Sequence, residues 1–159
     1  MEPDDALRFL RRLAPLAGPA GLLIVGVDCK KDRDTLELAY NDPEGVTAEF
    51  NRNILAHVNR STGSDFDLEA FQHYAFYNET AGRIEMHLIA TSEQTVHFPD
   101  PLRGELRIRL HTGEPIVTEH SYKYTIDEFQ GLARAAGYTA DDVLTDADEN
   151  FAVHVLSGA

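Results

Sequence analysis

The stretch Gly21-Leu22-Leu23-Ile24-Val25-Gly26-Val27-Asp28 constrains this chain more than any other. It is a short, unbroken apolar run that ends on an acid. Such a run reads as a strand buried on both faces, as in the middle of a parallel sheet. A helix is expected just before it, over residues 4–14. Asp4 and Asp5 favour its first turn, and Leu7, Leu10 and Leu13 recur at helical spacing. Pro15, Gly18 and Pro19 are expected to end it. Helix, tight turn, buried strand and terminal acid make half of a βαβ unit. In open α/β sheets, ligands bind at the carboxyl ends of strands. Nothing ahead of residue 4 supplies neighbours for such a strand. Either later strands flank it, or the chain starts inside a domain whose first half lies elsewhere.

Length and charge narrow the function classes. A chain of 159 residues, 43% of them hydrophobic, can bury a core and suggests one domain. The net charge of −13 makes it a poor partner for phosphate backbones, so nucleic acid is not an expected ligand. The longest apolar run, residues 20–27, is too short to span a bilayer, and no membrane partner is expected. Met1-Glu2-Pro3-Asp4-Asp5 is acidic and does not resemble a signal peptide. The single Cys29 rules out an internal disulfide and fits a reducing cytoplasm.

Further on, residues 34–39 read as a short helix, broken at Asn41-Asp42-Pro43. Residues 46–59 read as a longer one, with Val46, Phe50, Ile54 (or Asn53) and Val58 on its inward face. From Gln72 the period changes to two. Strands are expected over 71–78 and 83–91 about the turn Asn78-Glu79-Thr80-Ala81-Gly82, then over 95–98, 105–110 and 115–124, as an antiparallel meander. Thr125 with Glu128 three residues later is a capping-box spacing, so a helix spans 125–136 and Gly137 closes it. Residues 138–145 and 151–156 form a closing strand pair. The expected class is α/β with an α+β insert.

The strand Thr118-Glu119-His120-Ser121-Tyr122-Lys123-Tyr124 carries the most suggestive chemistry. Alternate side chains share a face, so Glu119, Ser121 and Lys123 form a row at about 7 Å spacing. An acceptor, a hydroxyl and a donor in a row suit a small polar ligand. They equally suit a solvated strand face with a Glu/Lys pair. Seven histidines invite a metal site, but none shows H-x-x-H or H-E-x-x-H spacing, and no metal is expected. Cys29 reads as an inert thiol.

Four segments then fall into register: Leu23 to Asp32, Ala39 to Asn51, Arg83-Ile84-Glu85-Met86-His87-Leu88, and Thr118 to Tyr124. Their order and spacing resemble the C-terminal half of the histidine-specific Nα-methyltransferases, over nearly the whole chain. That family uses S-adenosylmethionine to trimethylate the α-amino group of histidine, giving hercynine on the way to ergothioneine. The resemblance implies the C-terminal part of a Rossmann-type methyltransferase sheet, interrupted by a helical and antiparallel-β substrate-binding domain. Residues 1–31 would be the last helix and strand of the first sheet segment, 32–123 the substrate domain, and 124–159 the closing helix and strand pair.

The resemblance also implies site residues. Tyr40 matches a tyrosine whose hydroxyl binds the substrate carboxylate. Met86 matches the methionine that walls the imidazole. Glu119 and Ser121 match the pair that hydrogen-bonds the two ring nitrogens, a sound arrangement for an imidazole. Lys123 has no counterpart role. The Gly-rich loop for S-adenosylmethionine, the acid for its ribose, and a substrate-binding asparagine would belong to the family's first half. Gly21 and Gly26 do not form a G-x-G-x-x-G run. Two expectations follow. The chain is the substrate-recognition half of a methyltransferase, completed by a separate N-terminal half. Alternatively, it is a truncated, non-catalytic fragment that keeps a histidine- or amine-binding pocket or serves as an interaction module, with a homo-oligomer as its partner.

Overall fold

A computed structural model describes residues 1–18, 20–100 and 104–158. They divide into two compact units: Met1–Asp32 with Asn78–Arg83 and His120–Ala159, and Arg33–Tyr77 with Ile84–Glu119. The short segments 78–83 and 120–123 thus count with the first unit rather than with the rest of 32–123.

In the first unit, helix α1 (Pro3–Ala17) begins with Pro at its start and Asp4 and Asp5 in its first turn. Pro15 does not end it; the helix continues to Gly18, whose φ of 70° ends the helical path. A proline near a helix end forfeits a single i to i−4 bond, and the turn beyond it still closes. Strand β1 (Leu22–Asp28) pairs antiparallel with β8 (Phe151–Gly158), which pairs antiparallel with β7 (Tyr138–Thr145), in the order β1-β8-β7. Helix α4 (Ile126–Ala135) starts on the expected capping box of Thr125 and Glu128. Leu10 of α1, Phe129 and Ala133 of α4, and Val27 and Leu156 of the sheet form one core cluster, with Leu23 and Val25 packed against it.

That core covers a single face of β1. Leu22 and Ile24 are 60% and 66% exposed, and Leu144 and Phe151 of the same sheet are exposed as well. Among the described residues, the expected burial of the strand on both faces is therefore met on one face only. β1 has one packed face, and its partner β8 runs antiparallel. An unbroken apolar run has no period of its own, so it cannot reveal that only its odd-numbered residues are covered. Gly26 has a local reason: a Cβ there would lie 2.8 Å from the ring of Phe151, which crosses the strand.

The second unit holds α2 (Arg33–Tyr40), α3 (Val46–Thr62), a 3-10 turn at Leu68–Ala70, and most of β2 (Phe71–Asn78), β3 (Arg83–Ala90) and β6 (Pro115–Tyr122), in the order β2-β3-β6. Strands β4 (Gln94–Asp100) and β5 (Gly104–Leu110) make a separate antiparallel pair with Val96 opposite Ile108. The expected meander is corrected accordingly. The β4–β5 hairpin leaves the sheet, and β6 returns beside β3. The reason is apolar: Val96 and Leu110 of the hairpin close over Leu55, Phe71, Leu88 and Ala90, with Ile116 of β6 against them.

Helix α3 also turns a different face inward. Val46, Phe50 and Ile54 are exposed, while Asn51 and Leu55 are buried. Asn51 escapes an apolar count, yet its amide donates to His73 Nδ1 (2.9 Å) and the His87 carbonyl (3.2 Å). Those bonds let a polar residue occupy the buried stripe. The start of α3 is held by Asp42, whose carboxylate accepts from Val46 N (2.7 Å) and Thr47 N (2.8 Å). Bonds from Thr47 and Val46 hold the Asp42 carboxyl down at about 2.

Candidate functional site

Tyr40 is the last residue of α2, and three bonds secure that corner. Asn41 presents its side-chain amide to the Ala75 backbone as a strand would, donating to Ala75 O (2.9 Å) and accepting from Ala75 N (3.1 Å). His73 Nε2 donates to the Tyr40 carbonyl (2.8 Å), which leaves Nδ1 to accept from Asn51. Tyr40 packs against a buried cluster of Leu36, Ala75, Ile84 and Met86. The structure therefore brings Tyr40 and Met86 together, from a helix end and a central strand. Met86 is 2% exposed. Its carbonyl accepts from Thr118 Oγ1 (2.9 Å), so β6 runs past it one residue before Glu119.

Glu119 is half-buried on β6. Ser121, two residues on, is half-buried too and counts with the first unit. The solvated-face account of this strand end is corrected at Lys123. Lys123 is only 2% exposed and pairs with Asp28, not with Glu119. Its ammonium donates to Asp28 Oδ2 at 2.6 Å and to Ser121 Oγ at 3.0 Å. Lys31 donates to the other oxygen, Asp28 Oδ1, at 2.7 Å. Burial alone would raise the Asp28 carboxyl. The bonds and charges of Lys123 and Lys31 outweigh it and keep the carboxyl below its usual range. Beside them a cleft of about 320 Å³ is lined by residues including Gly82, Tyr122, Lys123 and Tyr124.

Sequence reasoning placed Lys123 in the polar row without its partner Asp28, and passed over the roles of Asn51 and His73. A signal existed for the first pair. An acid ending an apolar strand and a lysine amid strand aromatics are both costly to bury alone. Cys29 is buried, and burial pushes its thiol up, away from reactivity. Among the described residues, no group of three His, Cys, Asp or Glu side chains could hold a metal ion.

With this geometry in place, comparison with known proteins decides the lineage. The model of histidine-specific, S-adenosylmethionine-dependent methyltransferases matches residues 1–158. The chain belongs to this family. It is 40% identical over 137 residues to the histidine N-alpha-methyltransferase of Mycobacterium tuberculosis, covering 86% of this chain and 42% of that one. It is 38% identical over 151 residues to the enzyme of that name from Mycolicibacterium smegmatis, covering 95% and 46%. Ergothioneine biosynthesis protein 1 of Schizosaccharomyces pombe is 30% identical over 154 residues, covering 96% and 19%. The chain therefore spans less than half the length of these curated relatives.

The methyl donor named for the methyltransferase family needs a glycine cradle and an acid for its ribose. The described residues do not fit that group. Gly26, near the carboxyl end of β1, has its open side filled by Phe151. Asp28, the acid at the end of that strand, is paired on one oxygen with Lys123 and on the other with Lys31. No helix among the described residues is long and apolar enough to cross a membrane.

Proposed function

We propose that this chain is the substrate-recognition half of a histidine Nα-methyltransferase and acts in ergothioneine formation. The observation that carries the proposal is the packing of Tyr40 and Met86 in one cluster, beside the strand that bears Glu119. Tyr40 takes the substrate carboxylate through its hydroxyl, and Met86 walls the imidazole. Glu119 and Ser121, two apart on β6, take the ring nitrogens. A carboxylate facing a ring N–H gives a charge-assisted bond, which an apolar ring cannot return. S-adenosylmethionine is held by groups outside this chain, in a complementary N-terminal half, and the three-stranded sheet of the first unit is the closing part of that Rossmann-type sheet. The chain's own part in the reaction is to choose and orient the amino acid.

Titration calorimetry tests this. L-histidine is added to the chain alone and to the chain mixed with a separately produced N-terminal half of a mycobacterial relative. Histidine heat is expected, with methyl transfer only in the mixture. S-adenosylmethionine added to the chain alone gives none. Absence of histidine heat in both samples would sink the reading. Glu119→Ala is expected to weaken histidine by roughly 10- to 100-fold, the worth of a bond to a charged group. Unchanged preference for histidine over phenylalanine would remove Glu119 from its role.

A further inference from the structure

A lysine that is 2% exposed needs a reason, because Lys is among the residues least often buried. Its ammonium has three protons and no lone pair, so every polar contact it makes is a donation. One goes to Asp28 Oδ2 at 2.6 Å, at the carboxyl end of β1, and one to Ser121 Oγ at 3.0 Å. In the second contact the serine oxygen is necessarily the acceptor. Asp28 cannot wander, since Lys31 grips its other oxygen at 2.7 Å. The backbone is tied at the same place: Cys29 and Tyr124 form an isolated parallel bridge, Lys30 N donates to the Tyr124 carbonyl (3.1 Å), and Lys123 N donates to Gly82 O (2.9 Å). The ammonium is thus fixed at both ends of its side chain, and it fixes the hydroxyl.

We infer that Lys123 is a positioning residue for Ser121, with Asp28 as its counter-ion, and that this pair sets how well the site recognises an imidazole. The inference rests on the proposed role of Ser121 in binding the ring of histidine. An ammonium donating to a hydroxyl oxygen polarises the O–H and strengthens it as a donor. It also restricts the serine to rotamers that keep Oγ within reach of Nζ. A row of side chains that looks like three separate ligand contacts is then two contacts and one support. Lys123 does not touch the substrate. It acts through Ser121, and Asp28 acts through Lys123.

A double-mutant cycle on the full chain, read by calorimetry with L-histidine, tests the inference. Ser121→Ala and Lys123→Met are each expected to weaken histidine by about tenfold, the loss of one well-placed bond. Made together, they are expected to weaken it no more than the worse of the two, because they remove the same interaction. Asp28→Asn with Lys123→Met removes the charge that the single change would strand. That variant is expected to recover most of the stability lost by Lys123→Met alone while still losing about tenfold in histidine affinity. L-phenylalanine, which has no ring nitrogen, separates positioning from general damage: its affinity is unchanged in the same variants. Losses that multiply in the cycle, wild-type histidine affinity in the Asp28/Lys123 double variant, or equal losses for both amino acids would each overturn the inference. If these occur while Glu119→Ala still abolishes the preference for histidine, the proposed function stands and only the role of Lys123 falls. If the wild-type chain gives no histidine heat either alone or mixed with the N-terminal half, both fall.

Discussion

At the end of α2, Tyr40 is held by uncharged groups: an asparagine imitating a strand and an imidazole bridging to a second asparagine. At the end of β6, Ser121 is held by an ammonium that is itself anchored on a carboxylate. Neutral bonds in a packed corner each contribute modestly, and losing one leaves the others in place. A buried ion pair behaves differently. Its net contribution is small, because desolvation offsets attraction, but removing one partner strands the other. The first corner should degrade step by step and the second should fail at once.

The largest effect is expected at the charged corner. Lys123→Met should lower unfolding stability by about 3 kcal/mol in urea denaturation, since Asp28 then keeps only Lys31. Adding Asp28→Asn should recover most of that loss. If the single change is silent, the contrast between the corners collapses. Next comes Asn51→Ala, expected to cost about 2 kcal/mol by the same measurement, because it leaves His73 Nδ1 and the His87 carbonyl without their donor. Asn41→Ala should cost about 1 kcal/mol, because it removes two neutral bonds to the Ala75 backbone. A loss at Asn41 as large as that at Lys123 would mean that the neutral corner is not redundant.

The smallest effect should appear as a pH slope. His154 is fully buried against the Phe129 ring, and burial pushes its imidazole below the usual range. The folded state then resists a proton that the unfolded chain accepts. Stability from this residue is complete above the unfolded value of about 6.5 and declines as pH falls below it. Unfolding midpoints at pH 7.5 and pH 5.5 should differ in that direction, and His154→Phe should flatten the slope.

Much of this was legible in the sequence. Thr125 with Glu128, the turn ending at Gly82, and the change of period at Gln72 located a helix and a hairpin, because capping and alternation are local signals. The class, α/β with four α-helices and several sheets among the described residues, followed from their order. The inward face of α3 was not legible. Asn51 and Leu55 are chosen by partners on other elements, and the count of apolar residues favoured Val46 and Phe50. The single packed face of β1 was hidden for the opposite reason, since both sets of alternate residues are apolar. At the candidate site, Glu119 and Ser121 were visible as an i, i+2 pair. The partner of Lys123 was not, because Asp28 lies far away in sequence and pairing is a tertiary fact.

The outer face of the β1-β8-β7 sheet has a consequence for handling the protein. Leu22, Ile24, Leu144 and Phe151 lie open on it, while the chain as a whole carries a charge of −13. Apolar contact draws copies together, and like charge holds them apart. Salt shortens the reach of the second force from about 30 Å at 0.01 M to about 8 Å at 0.15 M and leaves the first intact. Raising ionic strength is thus expected to favour association of copies through this face.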